Sequence, residues 1–306
     1  MIAVSYLIIR LEKKAYYPGE TVRGKMEYRF DKETHVNDLS IKINCEEATS
    51  IVDRASDSTL GYKESRSIFN QEITVYKKTS VPPGEKEFPF EFTLPQDALP
   101  SYKGHEAFVS YEVSAKADIP LAFDMHGYDD FLVLPDPKKV VKEQRSSILL
   151  SPNAVLKQGT ANLQILQSND KKPAFKIEIE KDALIAGEVL RGSLTVANLT
   201  SRLRKAVIRL YSLEKAYAEG HRSQTTGASI AMVEIPAETI KENSPITFQL
   251  EVSPYVPSSY QGRISSLEWL LECNLDISWA LDVTAASEVV ITNLSDMAEP
   301  PRFRLI

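Results

Sequence analysis

Residues 81–120 constrain the fold most, because two alternating apolar segments flank a proline-bounded bridge. From Glu87 to Leu94, phenylalanines alternate with polar residues, which is the period-two pattern of a strand with one buried face. Residues 109–119 alternate in the same way. Between the two segments, Pro95 and Pro100 exclude both a helix and a central strand. Two strands joined by a rigid corner favour a β-sandwich, in which the corner carries the chain from one sheet to the other.

The same alternation recurs through the first half of the chain, and helical periodicity is nearly absent. The clearest strand, Val22–Phe30, follows a turn at Pro18 and Gly19, in which the proline presets φ and the glycine takes a positive φ. Residues 49–66 lose the alternation, so they are predicted to form a long loop. Residues 216–231 are interpreted as a flexible loop, with a short helical turn as the alternative.

The second half of the chain repeats the first. The turn and strand motif of residues 17–24 (YPGETVRG) returns in residues 185–192 (IAGEVLRG), and Gly187 takes the place of the first turn glycine. The repeat predicts the same turn and the same following strand in both halves.

The proline corner also repeats. Its second copy lies in residues 257–262, where Gly262 corresponds to Gly104, and both glycines are predicted to be turn residues. Two motifs that repeat in the same order predict two like domains in tandem. We therefore expect an all-β chain of two immunoglobulin-like sandwiches, one in residues 1–150 and one in residues 151–306.

Composition excludes several classes of protein. The chain has 306 residues, is 43% hydrophobic and 25% charged, and carries a net charge of -6, as expected of a soluble globular protein. No segment is basic enough for a nucleic-acid partner, and no apolar run is long enough to span a membrane. The first ten residues lack the features of a signal peptide. Cys45 and Cys273 lie on apolar faces, which predicts two buried thiols in a reducing compartment.

No group of residues forms a recognisable catalytic or metal-binding motif. Residues 19–25 have the spacing of a phosphate-binding loop, but Met26 replaces the required Ser or Thr, and a strand follows instead of a helix. We therefore expect no cofactor, no metal and no enzymatic activity. An enzyme whose site is built from separate loops is the alternative, and it predicts a deep polar pocket. The histidines are scattered without metal-ligand spacing: His35, His105, His126 and His221.

Four motifs together resemble the arrestin family: residues 17–24, 83–95 (PGEKEFPFEFTLP), 100–104 (PSYKG) and 109–115 (VSYEVSA). A fainter copy in residues 175–292 is similar to the arrestin C-terminal domain. The resemblance implies two curved β-sandwiches joined by a short linker. It also implies a non-enzymatic scaffold that binds membrane-protein tails and trafficking machinery.

Three departures from the family pattern disfavour receptor desensitisation and ubiquitin-ligase recruitment. Receptor-binding arrestins carry paired lysines ahead of the first strand, whereas Lys13 and Lys14 follow it here. The candidates for a Pro-Pro-x-Tyr motif read PPGE at Pro82 and PPRF at Pro300. The segment after Ile291 has no leucine-acidic box of the clathrin-binding type.

The leading hypothesis is a cytoplasmic arrestin-like adaptor, peripheral to a membrane, that acts by binding and not by chemistry. Its expected partners are membrane-protein tails, trafficking proteins or a small GTPase. The alternative is a stress or developmental regulator of the sporulation-control type, which oligomerises through sheet edges without membrane cargo.

Two surfaces are candidates for partner binding. The strand in residues 2–11, if it lies at a sheet edge, would accept an extended segment by β-augmentation. Residues 50–66 occupy the place of the arrestin finger loop, with a merely flexible connection as the alternative. The candidate contacts in this loop are Leu60, Gly61, Tyr62, Lys63 and Arg66.

Overall fold

The computed structural model describes residues 5–53, 60–136, 145–158 and 164–294, and most of these residues lie in β-strands. The helical element of this part of the chain is a short 3-10 turn at Ala237–Thr239. No helix within the described ranges is long and apolar enough to cross a lipid bilayer. The fold class is therefore all-β, as the period-two alternation predicts.

Ten strands form the first half of the described chain, in two antiparallel sheets and one parallel pair. The first sheet has the order β1-β3-β6, the second has the order β5-β4-β8-β7 with β9 added to β8, and β2 pairs with β10. The strands are β1 (Tyr6–Leu11), β2 (Ala15–Tyr16), β3 (Thr21–Phe30), β4 (Thr34–Asp53), β5 (Leu60–Val81), β6 (Gly84–Thr93), β7 (Tyr102–Lys103), β8 (Ala107–Asp118), β9 (Met125–Asp130) and β10 (Leu132–Val133).

The second half contains twelve strands with a corresponding arrangement. One sheet has the order β11-β14-β16-β19, the other has the order β15-β22-β21-β17-β18 with β20 added to β21, and β12 pairs with β13. The strands are β11 (Ser147–Leu150), β12 (Ala154–Gln158), β13 (Gln164–Ser168), β14 (Ala174–Ile179), β15 (Ala183–Ile185), β16 (Val189–Ala197), β17 (Leu203–Ala218), β18 (His221–Pro236), β19 (Ile246–Glu251), β20 (Tyr260–Gln261), β21 (Ser265–Ile277) and β22 (Val283–Thr292).

Apolar side chains from each pair of sheets meet in two large buried clusters. Met26, Ile41 and Val113 are fully buried in the first cluster, and Phe175 and Trp269 lie in the second. In both β8 and β21 every second side chain is buried, as the sequence alternation predicts. Burial of one face of each strand supplies the main driving force for folding.

The division into domains at residue 150 stays a prediction. The two buried clusters are consistent with two sandwiches. However, β11 ends at Leu150 and pairs with β14 of the second half, so the strand just before the expected boundary belongs to the second set of sheets.

The first turn of each half is built in the same way. Gly19 and Gly187 have φ angles of 80° and 94°, which is the positive φ predicted from the sequence. The backbone N–H of Tyr17 donates to the carboxylate of Glu20 at 2.8 Å. The equivalent bond joins Ile185 and Glu188 at 2.9 Å, and in both copies the glutamate thus closes the turn.

Two segments predicted as loops are largely strands in the described residues. β4 extends to Asp53 and β5 begins at Leu60, with Ser50 opposite Lys63; residues 54–59 lie outside the described ranges. Likewise, residues 216–231 belong to the antiparallel pair β17–β18, which turns at Glu219 and Gly220. Both predictions were wrong for the same reason. Most side chains at the start of β5 and β18 are exposed or half-buried, so these strands lack the apolar alternation that marks a strand in a sequence.

β1 is an edge strand, because among the described strands it pairs on one side only, with β3. The condition set for β-augmentation is therefore met, and binding of a partner segment there stays a prediction. β9 lies against β1 so closely that a Cβ atom on Gly127 would come within 2.6 Å of the carbonyl oxygen of Leu7. The backbone N–H of Leu11 donates to the carboxylate of Asp129 at 3.1 Å. β9 therefore limits the space for an added strand near Leu7 and Leu11.

The two cysteines are buried and free, as predicted. Burial raises the pKa of the Cys45 thiol to about 12 and also raises the pKa of Cys273. Because the thiolate is the reactive species, we expect neither cysteine to be alkylated by iodoacetamide at about pH 8 in the folded protein. Both should react after unfolding in urea, as read by intact-mass spectrometry. A native-state adduct on either residue would contradict this prediction.

Candidate functional site

The two halves meet at a junction built from one buried glutamate and one loop in each half. The first-half loop is Gly104–Ala107, between β7 and β8, and the second-half loop is Gly262–Ser265, leading into β21. The two loops are equivalent in the internal repeat. Each loop contacts a glutamate from the other half, Glu47 on β4 or Glu214 on β17.

Glu47 is 1% exposed and accepts hydrogen bonds from the second-half loop. Its Oε2 accepts the backbone N–H of Arg263 at 2.9 Å. Its Oε1 accepts the backbone N–H groups of Ile264 and Ser265 at 3.0 and 2.7 Å, and the Ser265 hydroxyl at 2.7 Å. Four donors compensate for the loss of water around the buried carboxylate.

Glu214 makes the reciprocal contacts and is 5% exposed. Its Oε2 accepts the Tyr102 hydroxyl at 2.6 Å and the backbone N–H of His105 at 3.0 Å. Its Oε1 accepts the backbone N–H of Glu106 at 2.7 Å. Burial, together with the hydrogen bond to Glu214, raises the pKa of Tyr102, so its hydroxyl stays a donor.

The glycine of each loop is required by close approach of the opposite carboxylate. A Cβ atom on Gly104 would lie 1.4 Å from Oε2 of Glu214, and one on Gly262 would lie 2.1 Å from Oε1 of Glu47. Neither glycine has a positive φ. Both were predicted as turn residues, and the structure adds the packing reason for them.

Further contacts across the junction involve an aromatic pair and a threonine. The rings of Tyr102 and Tyr260 lie 4.9 Å apart between centroids and are tilted by 49°. The hydroxyl of Thr49 donates to the carbonyl oxygen of Tyr217 at 2.6 Å. Burial raises the pKa of Tyr260, so both tyrosines stay neutral near neutral pH.

Beyond the junction, the β4–β5 hairpin contacts the β17–β18 hairpin. The Tyr62 ring stacks on the His221 imidazole with centroids 3.6 Å apart. The carboxylate of Glu64 accepts the backbone N–H of Glu219 at 3.0 Å, and this bond lowers the pKa of Glu64, as does Arg66. The two hairpins are therefore held side by side.

Some of the predicted partner-binding residues take part in the contact between the two hairpins, and others are exposed to solvent. Tyr62 stacks across the two hairpins, and Arg66 pairs with Glu64. Gly61 and Lys63 are exposed, whereas only the backbone of Leu60, in β5, is described.

Sequence reasoning missed the residues that join the halves. A signal for them exists, because Glu47 and Glu214 are 167 residues apart, nearly the 168 residues that separate the turn glycines Gly19 and Gly187. A buried acid looks like a surface acid in a sequence, so the pattern was not informative without the structure. The missed residues are Glu47, Thr49, Tyr102, Glu214, His221 and Tyr260.

A cleft of about 510 Å³ lies beside the junction and is lined by both halves. Charged groups of both signs line it, including Arg66, Asp97 and Arg263. Its described lining residues include no histidine or cysteine. This lining offers charged and polar contacts to a ligand.

Replacing Tyr62 with alanine should loosen the contact between the hairpins. We expect the free energy of unfolding to fall by about 1 kcal/mol, since the aromatic stack is lost. Amide hydrogen exchange should become faster in residues 49–53 and 61–66. Tyr255→Ala is a suitable control, because Tyr255 is 72% exposed. Unchanged exchange in Tyr62→Ala would show that the stack does not hold the hairpins.

Comparison with known proteins points to one family. Residues 7–138 match the model of the arrestin (or S-antigen) N-terminal domain. The chain is 31% identical over 105 residues to arrestin domain-containing protein 1 of Rattus norvegicus, which covers 34% of this chain and 23% of the relative. It is 21% identical over 210 residues to arrestin domain-containing protein 17 of Caenorhabditis elegans, covering 64% of this chain and 48% of the relative. The matches thus span less than half the length of these relatives.

Proposed function

We propose that this chain, whose residues 7–138 match the arrestin N-terminal domain, is an arrestin-family adaptor that acts without catalysis at the cytoplasmic face of a membrane. Its partners in this proposal are cytoplasmic tails of membrane proteins, and trafficking proteins, such as a small GTPase, would join through other surfaces. The arrestin resemblance supports binding as the general role.

The paired hairpins are the observation that carries the proposal. They are the β4–β5 hairpin and the β17–β18 hairpin. Hydrogen bonds of Glu47 on β4 and Glu214 on β17 hold them to the opposite halves, and the Tyr62 ring stacks on His221 between them. This arrangement presents exposed polar side chains from both halves, including Lys63 and Arg222, on a preorganised surface. Preorganisation reduces the entropy that binding must overcome.

Two basic side chains on this surface can contact an acidic partner segment, although the exposed Glu219 lies on the same β17–β18 turn. Lys63 and Arg222 are exposed and form no ion pair with other described residues. Arginine and lysine recognise carboxylate and phosphate groups through charge-assisted hydrogen bonds. We therefore place the tail of a membrane protein, rich in acidic residues, along the paired hairpins.

Site-specific photo-cross-linking tests this proposal in cells of the source organism. A photo-reactive residue at position 63 should capture membrane proteins through their cytoplasmic segments. The matched control carries it at position 72, an exposed glutamate farther along the same strand β5. A Lys63→Glu/Arg222→Glu double variant should lose binding of the captured segment as a synthetic peptide. Equal capture at both positions, or equal peptide binding by the double variant, would overturn the placement.

The long outer strands β5 and β18 support the second candidate, a regulator that oligomerises through sheet edges. Each lies at the end of its sheet, paired on one side only among the described strands. Light scattering separates the two candidates. A concentration-dependent mass increase without any captured membrane protein would favour the regulator, and a monomer that captures membrane-protein tails would favour the adaptor.

A further inference from the structure

The first-half loop brings three possible metal ligands together at the junction. His105 and Glu106 come from the loop and Glu214 from β17, and one ligand atom of each lies within 4.8 Å of the others. We propose that these three residues bind Zn²⁺ or a similar divalent transition-metal ion, which would bridge the two halves. This site goes beyond the adaptor function and does not depend on it.

The environment of Glu106 would favour a bound cation. Its residue surface is only 7% exposed, yet the described chain gives its side chain a single hydrogen bond, from the Thr225 hydroxyl at 3.4 Å. No ion pair links Glu106 or Glu214 to a basic residue in the described ranges. A mostly buried carboxylate with one long hydrogen bond is poorly compensated for its lost water, and the neighbouring Glu106 and Glu214 carboxylates repel each other. A divalent cation would offset both charges.

The equivalent loop of the second half serves as an internal comparison. There Arg263 and Ile264 occupy the positions of His105 and Glu106. That loop nevertheless makes the same backbone hydrogen bonds to a buried glutamate, Glu47. The backbone contacts of the junction therefore form with Ile264 in the position that corresponds to Glu106. They do not require the side chains of His105 and Glu106.

The ligand chemistry fits Zn²⁺ or a similar ion. Glu214 already accepts three hydrogen bonds, and a carboxylate has about four acceptor positions, so one remains for a metal. Zinc binds imidazole nitrogen and carboxylate oxygen at about 2.1 Å. His105 is exposed, so its ring can move inward to close the site and leaves a path for the ion. Water would complete the coordination.

Zinc titration of the full chain, freed of metal by chelation, tests the proposal. We expect one saturable site per chain by calorimetry and a rise in the melting temperature with zinc, because the ion binds only the folded protein. Magnesium and calcium should produce neither effect, since imidazole is a poor ligand for them. His105→Ala and Glu106→Gln should each weaken zinc binding by about 10-fold or more.

Arg263→Ala is the matched control, because it changes the equivalent position of the other loop. It should bind zinc as tightly as the unmodified chain. Since Glu106→Gln alters a buried group, the exposed His105→Ala variant decides the matter if the former is unstable. Absence of a saturable site would overturn the proposal, as would zinc affinity that is unchanged in His105→Ala, which would indicate adventitious binding elsewhere.

Discussion

Replacing Gly262 with alanine is expected to lower the free energy of unfolding by about 3 kcal/mol. The new Cβ atom would lie 2.1 Å from the Glu47 carboxylate, far inside van der Waals contact. Glu47 cannot simply move aside, because its two oxygens accept four hydrogen bonds from the same loop. Gly104→Ala should have an effect at least as large, since its Cβ would lie 1.4 Å from Glu214.

Urea denaturation, followed by circular dichroism, measures these losses. Gly61→Ala is the matched control, because Gly61 has no atom within 4 Å of an added Cβ and no positive φ. It should change stability by no more than about 0.5 kcal/mol. If Gly262→Ala and Gly104→Ala also lower the free energy of unfolding by no more than this, the junction tolerates the added Cβ atom. The approach of the carboxylate would then not require glycine at these positions.

Truncating either buried glutamate should be comparably severe. Glu47→Ala leaves three loop N–H groups without their acceptor. Each unsatisfied buried donor lowers the free energy of unfolding by about 1–3 kcal/mol. We expect a net loss of about 3–5 kcal/mol for Glu47→Ala and for Glu214→Ala, as for breaking other buried charged contacts. Glu47→Gln should lose less, because its amide oxygen still accepts.

The double variant distinguishes a joint between the halves from two independent contacts. If both glutamates hold the same junction, the loss in Glu47→Ala/Glu214→Ala should be smaller than the sum of the single losses, because the first change already loosens the second contact. Glu91→Ala is the control, since Glu91 forms an exposed ion pair with Arg23, and it should cost less than about 1 kcal/mol. Losses of that size in the single variants would refute the role of the glutamates.

Many of the strands were predictable, because burial of one face of a strand requires apolar residues at every second position of the sequence. In β8, alternate residues such as Val109 and Val113 are buried, and the same holds for Leu271 in β21. Proline and glycine mark turns for reasons of backbone geometry, as the positive φ of Gly19 and Gly187 shows. These signals are local, so they can be read without knowing which strands pair.

The hairpins were missed because their strands have little apolar alternation. Lys63, Glu64 and Arg66 lie in β5, although their composition is typical of a loop. Pairing with β4 makes them a strand, and this pairing continues from a ladder whose more central residues, such as Ile41 and Ile43, are buried. Backbone hydrogen bonds propagate the ladder beyond the core, and they leave no mark on side-chain polarity.

The sequence by itself determined that this chain is all-β, where its strands bury their apolar faces, and that its two halves repeat. Only the tertiary structure decided how the halves join. Glu47 and Glu214 are distant in sequence from the loops they bind, and nothing in their identity distinguishes a buried acceptor from a solvated acid. Their role depends on long-range approach of backbone N–H groups, which requires Gly104 and Gly262 opposite them. Local periodicity records which face of a strand is buried, whereas a contact between two loops and two glutamates exists only once both halves have folded.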